Sequence, residues 1–358
     1  MKAKMTPRER VLTALRRQVP DRVPKTFGWT PPVEAMLRAR LGDVHPLDHF
    51  GVEVRSVYPG PSRRPGDFSP YFAGLDLPAT TRIDEWGMGE IPDPVVHYTT
   101  YVYPMARLAS PDDLADYPFP DLTADYRWAR VPERVAELHA RGLAAEGGLE
   151  CTIFERAWYL RGMEQLFADF AENPAFAEAL LERVTAISCA LAERFARADV
   201  DVLGLGDDVS QQHGMLLSPA AWRRWLKPRL ARVIASARAV KPDLLVKYHS
   251  DGNPEAIIPE LIEIGVDVLN PVQPECLDPA DLKRRYGDRL AFWGTIGTQT
   301  TMPFGTPAEI AEVVRERVRT VGAGGGLLLA PTHVLQPDVP WGNIVALFDA
   351  IERHGVYE

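Results

Sequence analysis

Cysteine is scarce in this 358-residue chain: Cys151, Cys189 and Cys276 lie far apart, with no Cys-x-x-Cys pair. An odd, scattered set argues against a disulfide framework and a structural zinc ribbon. Cys189 falls in an alanine- and leucine-rich stretch and reads as packing; Cys276 follows a strand end, where packing is again the favoured reading over ligation. Positive charge is also short. Forty Lys and Arg against 49 Asp and Glu leave a net charge of -9 and an isoelectric point near 5.5. That balance argues against nucleic acid or an anionic membrane surface as main partner, and a highly carboxylated substrate would need a local basic pocket. No apolar run approaches the roughly 20 residues that span a bilayer. Residues 1–6 lead into a charged helix rather than an apolar signal core, so a cytoplasmic location is expected. Also missing are Gly-x-Ser-x-Gly, a Walker lysine motif, His-Glu-x-x-His, and a Gly-x-Gly-x-x-Gly after a first strand. Serine hydrolase, P-loop, zincin and dinucleotide-fold readings therefore lack support.

What is present is a regular grammar of helix starts. Thr6-Pro7 with Glu9 forms a capping box, and Ser110-Pro111, Asn173-Pro174, Ser218-Pro219, Asn253-Pro254, Asp278-Pro279 and Thr306-Pro307 repeat the pairing of cap and first-turn proline. Helices are expected over about 175–198, 219–240, 255–264, 280–286, 307–321 and 341–353. Between them lie short apolar runs at 200–205, 244–248, 266–269, 290–293 and 327–329. Strands this short and continuously apolar fit a parallel sheet covered on both faces. The expectation is an α/β fold: a single (β/α)8 TIM-type barrel domain spanning 1–358. Residues 42–126, rich in Pro, Gly, Tyr and Asp, are expected to elaborate the barrel mouth, with extended segments at 82–87 and 95–103.

Chemistry in such a fold belongs past the strand ends. The run 244–248 ends in His249 and Asp251, and the run 327–329 in His333. Imidazole and carboxylate suit zinc or another first-row divalent ion, which makes His249, Asp251 and His333 the candidate metal set. Asp207 and Asp208 end another strand, where mutual repulsion is expected to raise one pKa; with Glu155 they are the candidate acids and bases. Glu155 also has a plainer reading, as the ion-pair partner of Arg156 or Arg161. Trp86, Gln211, Tyr248, Thr295 and Thr298 are candidate substrate contacts.

Taken together, Thr6-Pro7-Arg8-Glu9-Arg10-Val11, Gly206-Asp207-Asp208, Ser218-Pro219 with Lys227-Pro228, His249-Ser250-Asp251-Gly252, Gly294-Thr295-Ile296 and the stretch from Pro331-Thr332-His333 to Asn343 resemble the uroporphyrinogen decarboxylase superfamily. The resemblance covers nearly the whole chain and implies a barrel, commonly a homodimer. It implies two chemistries. Decarboxylases work without metal and grip an acidic tetrapyrrole through an arginine-bearing N-terminal loop; here the corresponding residues 23–31 hold no arginine pair. Cobalamin-dependent methyltransferases bind zinc through His-x-Cys and a later Cys, where this chain has His249-Ser250-Asp251 and His333. The expected activity is metal-assisted methyl transfer from a small methylated, for example methoxy, substrate to a corrinoid carried by a partner protein. Decarboxylation of a porphyrin precursor and a barrel that only binds are the alternatives.

Overall fold

The computed structural model describes residues 4–93 and 98–357. Seven parallel strands pair in sequence order: β1 Val54–Val57, β2 Ala144–Glu150, β3 Val202–Gly206, β4 Leu245–His249, β5 Val268–Asn270, β6 Ala291–Ile296 and β7 Leu327–Pro331. The eighth position is held by almost no strand at all. Thr26 donates its N–H to Leu329, Leu329 donates to the Pro24 carbonyl, and Glu53 just before β1 donates to Lys25. Pro24 offers a carbonyl but no N–H, so this ladder stops after a single bridge. The fold is the expected α/β, TIM-type barrel. Residues 23–31, compared above with a ligand-gripping loop, are instead the closing stave.

Strand side chains alternate in direction, and this sorts the lumen into layers. The lowest is apolar: Val54, Ala144, Val202, Leu245, Val268, Ala291 and Leu328 cluster with Val11 and Leu15 of the helix Pro7–Leu15, which plugs the barrel floor. One layer up, Lys247 forms an ion pair with Glu146 at 2.5 Å, lies 3.6 Å from Glu150 and sits 4.8 Å over the Trp293 ring. Above that, β4 delivers His249 to the mouth. Gly204 and Gly206 leave room for these neighbours: a Cβ at Gly204 would meet the Glu146 carboxylate at 2.7 Å, and one at Gly206 the His249 Cβ at 2.7 Å. The two glycines therefore admit the barrel's own side chains, not a ligand's approach.

The expected helices form with two local departures. The stretch 219–240 breaks at Leu226 into Pro219–Trp225 and Lys227–Val240, because Pro228 cannot donate an N–H into the preceding turn. The helix expected after Asn253 begins as a 3-10 turn, Glu255–Ile257. The region 42–126 is not all elaboration, since β1 lies inside it; its sequence, Val-Arg-Ser-Val, hides a barrel strand because Ser56 faces the polar layer and Arg55 is buried on Asp48. Of the extended segments, 82–83 and 99–102 pair through Gly89–Pro92 in an antiparallel sheet. Residues 95–97 lie outside the described residues. The sheet's flank packs on the mouth helix Phe154–Arg161, where Met105 and Leu108 carbonyls accept from Arg161. No described helix is long and apolar enough to cross a membrane.

Candidate active site

The carboxyl ends of β3, β4 and β5 bring three expected side chains and one unexpected one together. His249 closes β4; its Nε2 lies 3.6 Å from an Asp208 oxygen and 3.7 Å from Oδ1 of Asp251. One ligand atom from each of these residues falls within 4.8 Å of the others. Asp208 also accepts the Asp251 backbone N–H at 2.7 Å, which ties the two loops. Oδ1 of Asp251 is buried without a hydrogen-bond partner, and burial pushes this carboxyl above its ordinary range against the pull of His249.

The unexpected residue is Asn270, at the end of β5. Its Nδ2 donates to the Trp293 carbonyl, so its Oδ1 is the acceptor facing Nδ1 of His249 at 2.6 Å. His249 must then carry a hydrogen on Nδ1, and Nε2 is the ring nitrogen turned toward the two carboxylates. Such a convergence repels unless a cation or a proton sits in it. An asparagine in the run Val268–Asn270 carries no sequence signal for this role; only the register of β5 on β4, which pairs Asn270 with His249, reveals it.

The neighbouring aspartates divide their work. Asp207 is buried, and its carboxylate accepts N–H groups from Ile153 and Glu155 at 2.9–3.1 Å, holding the start of the helix Phe154–Arg161. Its pKa is pushed up to about 7, chiefly by burial and only secondarily by Asp208, so the expected mutual repulsion is the smaller cause. Glu155, carried by that helix, is pushed up to about 9 by burial and then by the charges of Asp208 and Asp207. Neither plainer partner forms an ion pair with it among the described residues: Arg161 pairs with Asp169, and Arg156 lies on the Trp86 ring, its charge only partly offsetting the rise.

The remaining candidates scatter. His333 stands at the rim, its Nε2 3.8 Å from the other Asp251 oxygen, outside the three-residue group. Tyr248 is fully buried on the outer face of β4, donating to the Asp207 carbonyl at 3.4 Å. Thr295 is also fully buried, so neither side chain is placed to meet a substrate at the mouth. Gln211 is exposed on a two-residue strand, and Thr298 shares a hydrogen bond with Thr332 at 3.1 Å. Trp86 is 8% exposed and lines a cavity of about 290 Å3 beside β2.

The sequence profile described as Uroporphyrinogen decarboxylase (URO-D) matches residues 137–354, which include every strand from β2 onward and the whole histidine–carboxylate group. The chain belongs to the uroporphyrinogen decarboxylase family. Among curated relatives, the uroporphyrinogen decarboxylases of Coxiella burnetii strains Dugway 5J108-111 and RSA 493 are each 23% identical over 189 residues, or 52% of this chain and 49% of theirs. The chain thus spans about half the length of the curated relatives it matches. Among solved structures, a methyltransferase from Methanosarcina mazei superposes with a TM-score of 0.67 at 20% identity, covering 98% of this chain and 99% of that one. The likeness extends the family's barrel to the residues before 137. Within this family's barrel, His249, Asp208 and Asp251 occupy the end where strand-end loops converge.

Proposed function

We infer that the protein is a metal-assisted methyltransferase, moving a methyl group from the oxygen of a small substrate to a corrinoid carried by a partner protein. The observation behind this reading is His249 Nε2, its ring fixed by Asn270, facing the oxygens of Asp208 and Asp251. The donor set fits a divalent ion: one neutral imidazole and two carboxylates, one with an orphaned buried oxygen. All donors are nitrogen or oxygen, which suits zinc or another first-row ion acting on a substrate oxygen rather than on a thiol. When bound, such an ion supplies Lewis acidity at that oxygen. The chain's residues do the rest. Glu155 holds a proton at neutral pH and gives it to the oxygen as the methyl group leaves, while Asp207 anchors the turn that positions Glu155. Decarboxylation of uroporphyrinogen is disfavoured by the closing stave: Lys25 there is paired with Glu352.

The test has two arms. Protein freed of metal should take up about one zinc or cobalt ion per chain by calorimetry, and the loaded protein should methylate reduced cobalamin from a methoxy donor. No uptake of either ion sinks the reading. Asn270→Ala should weaken that uptake by roughly 10–100-fold, the usual cost of losing the group that orients a ligating histidine; unchanged affinity would show that His249 needs no such support.

A further inference from the structure

Arg156 follows Glu155 on the mouth helix and is half-buried. Among the described residues, its guanidinium enters no hydrogen bond and no ion pair within 4 Å. The chain's other deeply placed arginines are all engaged: Arg10 by Asp21 and Glu53, Arg127 by Glu85, Arg161 by Asp169, Arg229 by Glu178. What holds Arg156 is aromatic. Its Cζ lies 4.5 Å from the Trp86 ring centre and 5.9 Å from that of Tyr159. That contact sets the guanidinium against the rings, and no described residue accepts a hydrogen bond from its five N–H donors.

Arg156 and Trp86 share the 290 Å3 cavity with Tyr58, Glu85, Arg127, Glu150 and Cys151. Of its acids, Glu85 meets Arg127 at 2.8 Å, while Glu150 lies 3.6 Å from Lys247, a cation it shares with Glu146. Among the described residues, Arg156 is therefore the cation lining the cavity with no carboxylate within 4 Å, although it also feels the charges of Asp84 and Glu155. A rigid planar fork is geometrically matched to a carboxylate, which it binds through two parallel hydrogen bonds. The volume lies at the lower end of the roughly 300–1,000 Å3 typical of small-molecule sites, and Trp86 and Tyr58 offer ring surfaces to a flat body.

We propose that this cavity binds the carboxylate of a small aromatic acid, with Arg156 as its anchor. One guanidinium takes one carboxylate, consistent with an acidic chain that holds no cluster of free arginines there. The proposal deepens the methyl-transfer reading, giving its substrate a carboxylate held one residue from Glu155. It rests on that reading only for what happens at the methyl group.

The experiment is calorimetric titration of the full chain with benzoate, 4-methoxybenzoate and the neutral ether anisole. Both acids should bind the wild type at least about tenfold more tightly than anisole. Arg156→Gln should lose at least about tenfold for both acids and leave anisole unchanged, while Arg156→Lys, which keeps the charge without the fork, should retain part of the affinity. Circular dichroism on both variants separates lost binding from lost folding. Equal binding of acids and anisole, wild-type affinity in Arg156→Gln, or no binding of either acid overturns the proposal. Benzoate has no methyl group, so a protein that binds it through Arg156 yet never demethylates 4-methoxybenzoate sustains this site and refutes the methyltransferase.

Discussion

His249→Ala should abolish methyl transfer, lowering kcat/KM by at least about a thousandfold, because several kcal/mol of electrostatic stabilisation at the substrate oxygen go with the ion. Metal affinity should fall by more than the 10–100-fold expected for losing an orienting group, since here a ligand itself is removed. The folded state should survive. His249 is partly exposed at a strand end, and its loss forfeits one side-chain hydrogen bond, about 1 kcal/mol. Calorimetric metal titration beside a thermal melt reads both effects. A variant that melts like the wild type and still takes up the ion normally would refute the site. His333→Ala is the informative partner, because among the described residues His333 pairs only with Asp251, 3.8 Å away at the rim. Its effect on metal affinity should be the smaller of the two, and the reverse order would move the centre outward toward β7.

The largest effect on stability is expected from Lys247→Met. The ammonium is buried beside Glu146 in the middle layer of the barrel, and removing it leaves a buried carboxylate without its cation. That costs about 3–5 kcal/mol, enough to lower the thermal midpoint by several degrees. Burial already pushes the Glu146 carboxyl above its ordinary range, while burial opposes the Lys247 ammonium and is outweighed by Glu146 and Glu150, so its pKa also rises. We read the pair as ionised, on the strength of the 2.5 Å contact. In the variant, Glu146 would ease its burial by taking a proton. A carboxyl whose folded pKa is raised contributes its stability below its unfolded value and loses it as pH climbs through the folded one. The Lys247→Met deficit should therefore be smallest near pH 4 and grow toward neutrality in melts taken across that range. Adding Glu146→Gln should recover most of it; a double variant no better than the single one would contradict the pairing.

Lys247 also marks where sequence reading reached its limit. The run Leu244-Leu245-Val246-Lys247-Tyr248 is readable as a strand, and its position ahead of His249 and Asp251 is readable as a site. A lysine inside it carries no sign of its partner, because Glu146 belongs to a strand with the sequence Ala-Ala-Glu-Gly-Gly-Leu-Glu, too small and polar to stand out. The helices were legible because caps and prolines are local signals; β1, β2 and the closing stave were not, because they are defined by pairing across the barrel. The candidate site divides in the same way. His249, Asp251 and Asp208 announce themselves by type and strand-end placement, whereas Asn270 and Arg156 are defined by what they face. Tyr248 and Thr295 stand at strand ends as expected, yet both are buried, Tyr248 because alternation turns it to the outer face of β4.

The closing stave has a consequence for how the molecule is made. Thr30 bonds to Leu335, 305 positions away, and Thr26 to Leu329 on the last strand. On a ribosome, the segment that seals the cylinder is synthesised about 300 residues before its partner. Until then β1 and the growing sheet present open edges, and an open edge is a template for pairing with another chain. Through that interval the nascent barrel is an unsealed sheet, and the step that ends its exposure is a clasp built on the Lys25–Leu329 bridge beside a proline.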